Sequence, residues 1–581
     1  MCLLYAMKLN DNAQLALDTI RQKPVKGIPT GFIHPMEHRI IDLLAGCPEG
    51  TYQRKPIETY LAMQKTAGAC MCDQWIPTNP LSMGDKGYEA GTKKSATTGI
   101  EQIVRDGMVI DSPEAAVAHM EQKIFPDLRQ QIEAWDRDPA GAESELCRQI
   151  LTGEETTQLL LGENILKVPY GCARFPGFLY GLYGYENYFM AYALYPEVIE
   201  RHFALDADRW SRRNRAVAKA YIEGGLPPLL RLDHDMADSR GTLVDIKSLD
   251  KIWFPHFVRS IKPMLDAGIK MIWHCDGNLM QMVPRLLEAG LSGFQGFQYE
   301  DGMDYEKICR MKTRDGNSLI IEAGVSVTRT LPFGKPDDIR KEMKWLVENG
   351  PKTGLILAGS SSIAPGVPWE NMQTFAAGLN YYRQHGREGS GAVPPPAKQQ
   401  LQMVVCPPQI LPKTRVPKLP RGYLLRQYRP EDEKSYLALM DMAGFKNWTA
   451  ATLKPWFDRL LPDGFYVIEH KDTGKIVATA MATHYPRPEY PFGGALGWVA
   501  GDPEHSGRGL GHAVCAAVLR RFARAGYRNI YLYTDDFRLP AIKIYLRLGF
   551  KPHLTGPDME KRWRKVCAEL KQPYEPVQMN K

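Results

Sequence analysis

Two short stretches of this chain carry residue types at spacings that could do chemistry. The first is His274-Cys275-Asp276-Gly277-Asn278. An imidazole and a carboxylate two positions apart could share a proton or bind one cation. Equally, His274 could bond a neighbouring carboxylate while Asp276 caps a helix and Gly277 relieves a turn. Cys275 is one position along from His274, points elsewhere, and reads as a packing residue. The second stretch is Ser506-Gly507-Arg508-Gly509-Leu510-Gly511-His512-Ala513, with glycine at every second position just before an apolar helical pattern. A loop of this kind turns several backbone N–H groups inward at a helix N-terminus, which suits a phosphate. Arg508 adds a cation, and the glycines let a ligand approach the backbone. A plain flexible loop is the alternative. No Gly-Lys-Ser/Thr follows, so the stretch is not a P-loop, nor is it a strict dinucleotide fingerprint.

The first stretch belongs to a repeating pattern. Apolar runs at Leu229–Leu232, Ile269–Trp273, Gly293–Phe297, Ser318–Ala323 and Gly354–Ala358 read as buried parallel strands. Helical patterns lie between or after them at Leu249–Asp266, Leu279–Glu288, Pro336–Glu348 and Trp369–Gln384. Repeated strand–helix units imply an α/β fold with a parallel sheet covered by helices. Residues 1–385 fit a (β/α)8 barrel with an N-terminal helical extension, with a doubly wound open sheet as the alternative. Polar groups follow each run: Asp233-His234-Asp235, the histidine stretch, Gln298-Tyr299-Glu300-Asp301, Glu322 and Ser360-Ser361-Ser362. Singly they could be helix caps. In a barrel they would meet at one mouth, which makes His274, Asp276, Asp235 and Glu322 the catalytic candidates of this part.

The segment Leu232–Phe375 resembles the uroporphyrinogen decarboxylase (URO-D) superfamily, which also holds corrinoid-dependent methyltransferases. The resemblance rests on "LDHDMADSRGTLVD", "HCDGN", "GLSGFQGFQYEDGMD", "TLPFGKPDDIRKEM" and "IAPGVPWENMQTF". It implies a barrel with its site at the mouth and does not settle the reaction; the expectation is a small polar substrate handled by acid/base, decarboxylase-like chemistry. Two departures mark a divergent member. The decarboxylase's arginine-rich N-terminal loop has only "TYQRKPIETYLAMQ" to match it. The methyltransferases' zinc thiolates are replaced by Asp276 and Ser361, so that soft site is not expected. An oxygen-ligated metal at His274, Asp276 or Asp235 stays open but is not part of the expectation. A thiol-linked methyltransferase barrel, or a non-catalytic barrel that presents a ligand, are the rival readings.

Gly386–Pro420 is rich in proline and glycine and reads as a linker. Residues 421–572 then form a second unit, with a tail at 573–581. Its pattern is strand, helix, a hairpin turning at Asp472-Thr473-Gly474, strand, glycine loop, helix, strand, helix and strand. The helix after the loop carries Val514, Val518 and Phe522 on one face. With the later "RLPAIKIYLRLGF", this region resembles the GCN5-related N-acetyltransferases (GNAT) over most of Tyr423–His553. The resemblance implies a mixed, mainly antiparallel sheet and acetyl-CoA as the cofactor. It assigns the pyrophosphate to Ser506–Ala513 and the pantetheine arm to the strand Gly497–Ala500, hence Trp498, Val499 and Ala500. It makes Tyr545 the proton donor to the CoA thiolate. Ser506 stands where the family has Gln or Arg, and Arg538 where it has Asn. Base candidates are Glu469, His484 and Asp535.

The totals bound the partners. A chain of 581 residues is too long for one core. A net charge of +7 is small for this length and does not argue for nucleic acid. The basic runs Arg520–Arg528 and Lys561–Lys565 read as solvated helix faces. Eleven cysteines form no framework, which fits a reduced, cytoplasmic protein. The opening "MCLLYAMKLND" is too short an apolar run for a signal peptide, and no stretch suits a membrane span. Small-molecule substrates are the expected partners, with a homodimer left open.

Overall fold

The computed structural model describes residues 9–78, 103–388, 400–405, 415–445, 448–487, 490, 492–555 and 559–577. They belong to two compact units, Met1–Pro396 and Ala397–Lys581.

In the first unit, β1 (Met71–Cys72) pairs in parallel with β2 (Leu166–Lys167). Five further parallel strands, β3 (Leu229–Asp233), β4 (Lys270–His274), β5 (Gly293–Gln295), β6 (Ile320–Val325) and β7 (Leu355–Gly359), lie side by side in chain order. Single parallel bridges join the two groups. Tyr170 pairs with Arg231 on β3, and Thr30 pairs with both Ala69 and Leu357. The result is a closed ring of parallel segments, the barrel that the repeating pattern implies. All five apolar runs are strands, displaced by at most two residues at either end.

Strand side chains alternate between two environments. Leu230, Leu232, Met271, Trp273, Ile321, Ala323 and Leu357 pack outward in the main core with the surrounding helices. Leu229, Ile272, Ile320 and Ile356 instead share a cluster with Ala13, Ala16 and Ile20 of helix α1 (Asp11–Ile20). This helix closes the N-terminal end of the barrel. It starts where the Asn10 side chain accepts hydrogen bonds from the Asn12 and Ala13 amides at 3.0 and 3.2 Å. The helical pattern Leu249–Asp266 divides into α2 (Ile246–Ile252) and α3 (Phe254–Asp266), parted at Trp253 just ahead of Pro255, which has no N–H to continue the ladder.

The second unit holds a seven-stranded sheet. In chain order its strands are β8 (Leu401–Val405), β9 (Tyr423–Gln427), β10 (Leu460–His470), β11 (Lys475–His484), β12 (Gly493–Gly501), β13 (Asn529–Thr534) and β14 (Lys551–His553). Their spatial order is β9-β10-β11-β12-β13-β8-β14. Only the β12/β13 pair is parallel, so the sheet is mixed and mainly antiparallel. Helix α4 (Leu510–Arg524) packs on one face. Helices α5 (Glu433–Met442) and α6 (Ala450–Phe457) pack on the other.

One expectation needs correction. The stretch Gly386–Pro420 is not a linker throughout, because its "LQMVV" is β8, buried along its whole length between β13 and β14. The run is apolar and β-prone, but its proline-rich flanks conceal it. Residues 389–399 and 406–414 of that stretch lie outside the described residues. The expected tail is also attached: the Val577 amide donates to the Pro552 carbonyl at 2.9 Å.

Two candidate active sites

The barrel site is built on one register row. Asp233, His274, Gln295 and Glu322 are successive partners across β3, β4, β5 and β6. All four line a cavity of about 430 Å3 at the C-terminal strand ends, with Phe32, His34, Gln74, Arg231, Asp276 and Ser361 among its other walls. Two positions before Asp233, Arg231 faces the same way. Its guanidinium is buried and donates to Asp73 at 2.7 Å, Gln74 at 3.1 Å and Gln295 at 3.3 Å, over the Tyr170 ring at 4.5 Å. Burial opposes its charge, but Asp73 and Asp233 hold it cationic.

Glu322 is only 2% exposed. Burial, reinforced by the nearby Asp73 charge and opposed by Arg231, pushes its carboxyl up to about 8. It therefore carries its proton at neutral pH. Gly31 makes room for it, since a Cβ there would sit 2.5 Å from Glu322 Oε1. Arg231 and burial together push His34 down to about 4, so that ring is neutral, with Nδ1 3.0 Å from Ser362 Oγ.

Asp235, His274 and Asp276 come together, each offering one ligand atom within 4.8 Å of the others. Burial raises the Asp276 carboxyl, which His274 and a hydrogen bond from Ser361 counter and the Asp235 and Asp233 charges reinforce. The Asp276 amide donates to Asp235 at 3.1 Å. The buried His274 Nδ1 has no hydrogen-bond partner among the described residues. It lies against Gly296, where a Cβ would be 2.7 Å away. The donors are two carboxylates and an imidazole, which suit a hard divalent cation rather than a thiolate zinc centre. Cys275 packs as expected, buried, donating to the Asp276 carbonyl at 2.9 Å, its thiol raised to about 12 by burial.

All four barrel residues singled out from sequence thus face one cavity or its rim. Arg231, Asp73 and His34 were missed. Arg231 had a signal: an arginine inside "LLRLD", at an inward position among buried leucines. Asp73 and His34 come from segments without repeating pattern, and nothing in their spacing points to them.

In the second unit the site begins where two strands part. β12 and β13 pair only over Gly493–Ala495 and Asn529–Tyr531. Beyond Ala495, β12 continues against β11 alone and bulges where Trp498 and Val499 lie between the Gly497–Met481 and Ala500–Thr479 pairs. At that bulge Trp498 takes a left-handed φ of 52°, a strained conformation for a tryptophan. Leu496 to Gly501 therefore have no strand partner on the β13 side. Trp498, Val499 and Ala500 present one unpaired edge to the gap.

The glycine loop leads into α4. Gly507 and Gly509 both have φ of +74°, and a Cβ on either would meet no protein atom. The left-handed turn, open to solvent, is what glycine supplies there. Gly511 differs: its Cβ would come within 3.0 Å of Ile544, so it lets α4 approach α7 (Leu539–Arg547) closely. Gly509 is the N-cap and no side chain caps the helix, which leaves the Leu510, Gly511 and His512 amides for a ligand. Ser506 and Arg508 are exposed. The Arg508 guanidinium holds the Tyr423 hydroxyl and His505 Nδ1. Lys418, Arg508, His512 and Arg547 line a cavity of about 370 Å3 beside the loop. Ala513 is buried under it.

Tyr545 lies on α7, buried, and burial with the Cys515 thiol pushes its phenol well up, so it keeps its proton. The three base candidates are not brought together. Asp535 pairs with Arg538 at 3.1 Å and Gln400 at 3.2 Å. Glu469 binds Arg426 at 2.7 Å, which also grips Asp432. His484 Nδ1 meets the Tyr527 hydroxyl at 2.7 Å, in register with Gly494 near the start of β12 and away from the loop.

Residues 426–550 match the family model described as Acetyltransferase (GNAT) family, and residues 215–380 the one described as Uroporphyrinogen decarboxylase (URO-D). Both resemblances read from the sequence are therefore met, and each match falls within one of the two units. Among curated proteins, the mycothiol acetyltransferase of Thermobispora bispora is 34% identical over 151 residues, 23% of this chain and 48% of that protein. That of Saccharomonospora viridis is 33% identical over 150 residues, with the same coverage of 23% and 48%. The chain spans about half the length of the curated relatives it matches. Among solved structures, a GCN5-related N-acetyltransferase from Sphaerobacter thermophilus overlaps 27% of this chain and 49% of that chain, at 22% identity and a TM-score of 0.22. A methyltransferase from Methanosarcina mazei overlaps 64% and 98%, at 16% identity and a TM-score of 0.37.

Proposed function

We propose that the second unit transfers an acetyl group from acetyl-CoA to an amine. The observation that carries this reading is the parted β12/β13 pair, with uncapped amides at one end and a protonated phenol on the helix beside it. The loop amides would hold the pyrophosphate, and the free edge of Leu496–Gly501 would hydrogen-bond the extended pantetheine arm. The amine attacks the thioester carbonyl, backbone amides of β12 stabilise the oxyanion, and Tyr545 protonates the departing thiolate. Asp535 and Glu469 are committed to arginines, so neither is assigned as base, and the amine's proton leaves to solvent. The similarity to mycothiol acetyltransferases supports acyl transfer. The test is calorimetric titration with acetyl-CoA, followed by turnover of Tyr545→Phe. Binding with unchanged affinity and a kcat lower by about 10²–10³-fold is the expected result. Absence of acetyl-CoA uptake by the wild type would overturn the reading.

For the barrel, the charge balance guides the proposal. Asp73 compensates Arg231, Asp233 lies 3.5 Å from the same guanidinium, and Asp235 and Asp276 add two more carboxyl groups at the mouth with no arginine or lysine paired to them among the described residues. We infer a small polar substrate that carries a positive charge, with Glu322 as proton donor to it. Delivery of a proton to carbon completes a decarboxylation, so the reading stays within acid/base, decarboxylase-like chemistry. It differs from recognition of a carboxylate-crowded substrate by arginines. The trio of Asp235, His274 and Asp276 favours a second reading, in which those three residues hold a hard divalent cation that neutralises the mouth. Elemental analysis of the purified protein, before and after dialysis against chelator, separates the two. Stoichiometric Mg²⁺, Mn²⁺ or Ca²⁺ that Asp276→Asn abolishes supports the second reading, and none supports the first.

A further inference from the structure

The face of the sheet opposite α4 carries a row of aromatic rings that leads away from the parted strands. Trp498, at the β12 bulge, lies against Trp448 with ring centres 4.0 Å apart and tilted by 36°, and meets Trp456 of α6 at 4.9 Å. Trp456 in turn lies 6.1 Å from Tyr485. Two guanidiniums close the row. Arg459 lies 4.3 Å and Arg487 4.6 Å from the centre of the Tyr485 ring. Neither has a carboxylate partner among the described residues. Arg487 Nε is buried with no hydrogen-bond partner, while its guanidinium donates a hydrogen bond to the Tyr531 phenol oxygen beside it.

Two like charges held at one ring repel each other, and the aromatic face offsets only part of that. An oxyanion bound at these guanidiniums would offset the repulsion and accept from their open N–H groups. The rings between this cationic end and Trp498 are flat and apolar, and half-buried rather than sealed. We propose that this row is the acceptor half of the acetyltransferase site. Its ligand is then an amine with a flat apolar body whose carboxylate, or a comparable oxyanion, docks on Arg459 and Arg487. This assignment rests on the acetyl-transfer reading above and adds the chemical class of the acceptor. The amine end would lie at Trp498, where the thioester carbonyl emerges between β12 and β13.

The experiment uses the full-length protein saturated with acetyl-CoA and two matched pairs, tryptophan with tryptamine and phenylalanine with phenethylamine. N-acetyl product is measured by mass spectrometry across acceptor concentration. The amino acid of each pair is expected to be the better acceptor, with a KM at least about tenfold below that of its decarboxylated partner, which lacks the carboxylate and with it the charge-assisted hydrogen bond. Arg459→Gln with Arg487→Gln should raise the KM of the amino acids by at least that factor, leave their kcat within about twofold, and leave the KM of the decarboxylated amines unchanged or lower. A merely structural role would raise the KM of both members of a pair together. Equal use of both, preference for the decarboxylated amine, or acetylation of neither while acetyl-CoA binds would each overturn the assignment. Failure to bind acetyl-CoA at all would instead overturn the reading on which it rests.

Discussion

At the scale of the residue, Glu322 shows how position makes chemistry. Its register partners Gln295 and Ile356 carry no charge, and burial against Gly31 and Asp73 holds its proton. The sign of the pH dependence follows. A carboxyl raised from near 4.5 to about 8 binds its proton more tightly folded than unfolded. That contribution to stability is full below the ordinary value and is lost as pH rises toward the folded one. Glu322→Gln keeps the neutral shape without the titration. Urea midpoints of variant and wild type should therefore coincide near pH 4 and separate in favour of the variant between about 5 and 8. A constant difference across that range would contradict the assignment. His34 works in the opposite sense. Its ring, lowered from 6.5 to about 4 by burial and Arg231, stabilises the fold above the ordinary value and loses that effect as pH falls through the window. His34→Gln should thus cost less stability at pH 4 than at pH 7.

At the scale of the element, the glycine loop divides by role. Gly507 and Gly509 supply a left-handed turn, while Gly511 supplies close helix packing. Gly509→Ala should lower stability by about 1 kcal/mol, the cost of a Cβ in that conformation, and should weaken acetyl-CoA binding measured by calorimetry. Gly511→Ala should lower the melting temperature through the α4–α7 contact and change acetyl-CoA affinity less. The reverse order would reassign the two glycines. Strand ends were legible in the chain because parallel strands are buried on both faces and read as apolar runs between helical patterns. The mouth residues Asp235, His274, Asp276 and Glu322 were legible for the same reason, each standing where a run stops. The pairing of Arg231 with Asp73 was not, because at 2.7 Å it joins segments far apart in sequence.

At the scale of the whole molecule, the boundary between the units is the point most open to test. β8 lies between β13 and β14 and buries all five of its residues. A fragment beginning at residue 421 would leave two strands with unpaired edges around a missing one. It should aggregate or fail to melt cooperatively, whereas a fragment of 397–581 should fold and bind acetyl-CoA. Equal behaviour of the two fragments would show β8 to be dispensable. No helix among the described residues is long and apolar enough to cross a membrane.

The amino-acid sequence by itself determined the alternation of strands and helices, the two-part organisation and the positions where polar groups stop apolar runs. These are local properties, written in periodicity and in the conformational freedom of glycine. Only the tertiary structure decided which of those groups share a cavity, and which carboxylates are occupied by arginines. It also decided that a strand lies hidden in the proline-rich stretch. Charge balance, burial and register depend on which distant segments become neighbours, and a linear pattern does not contain that distance.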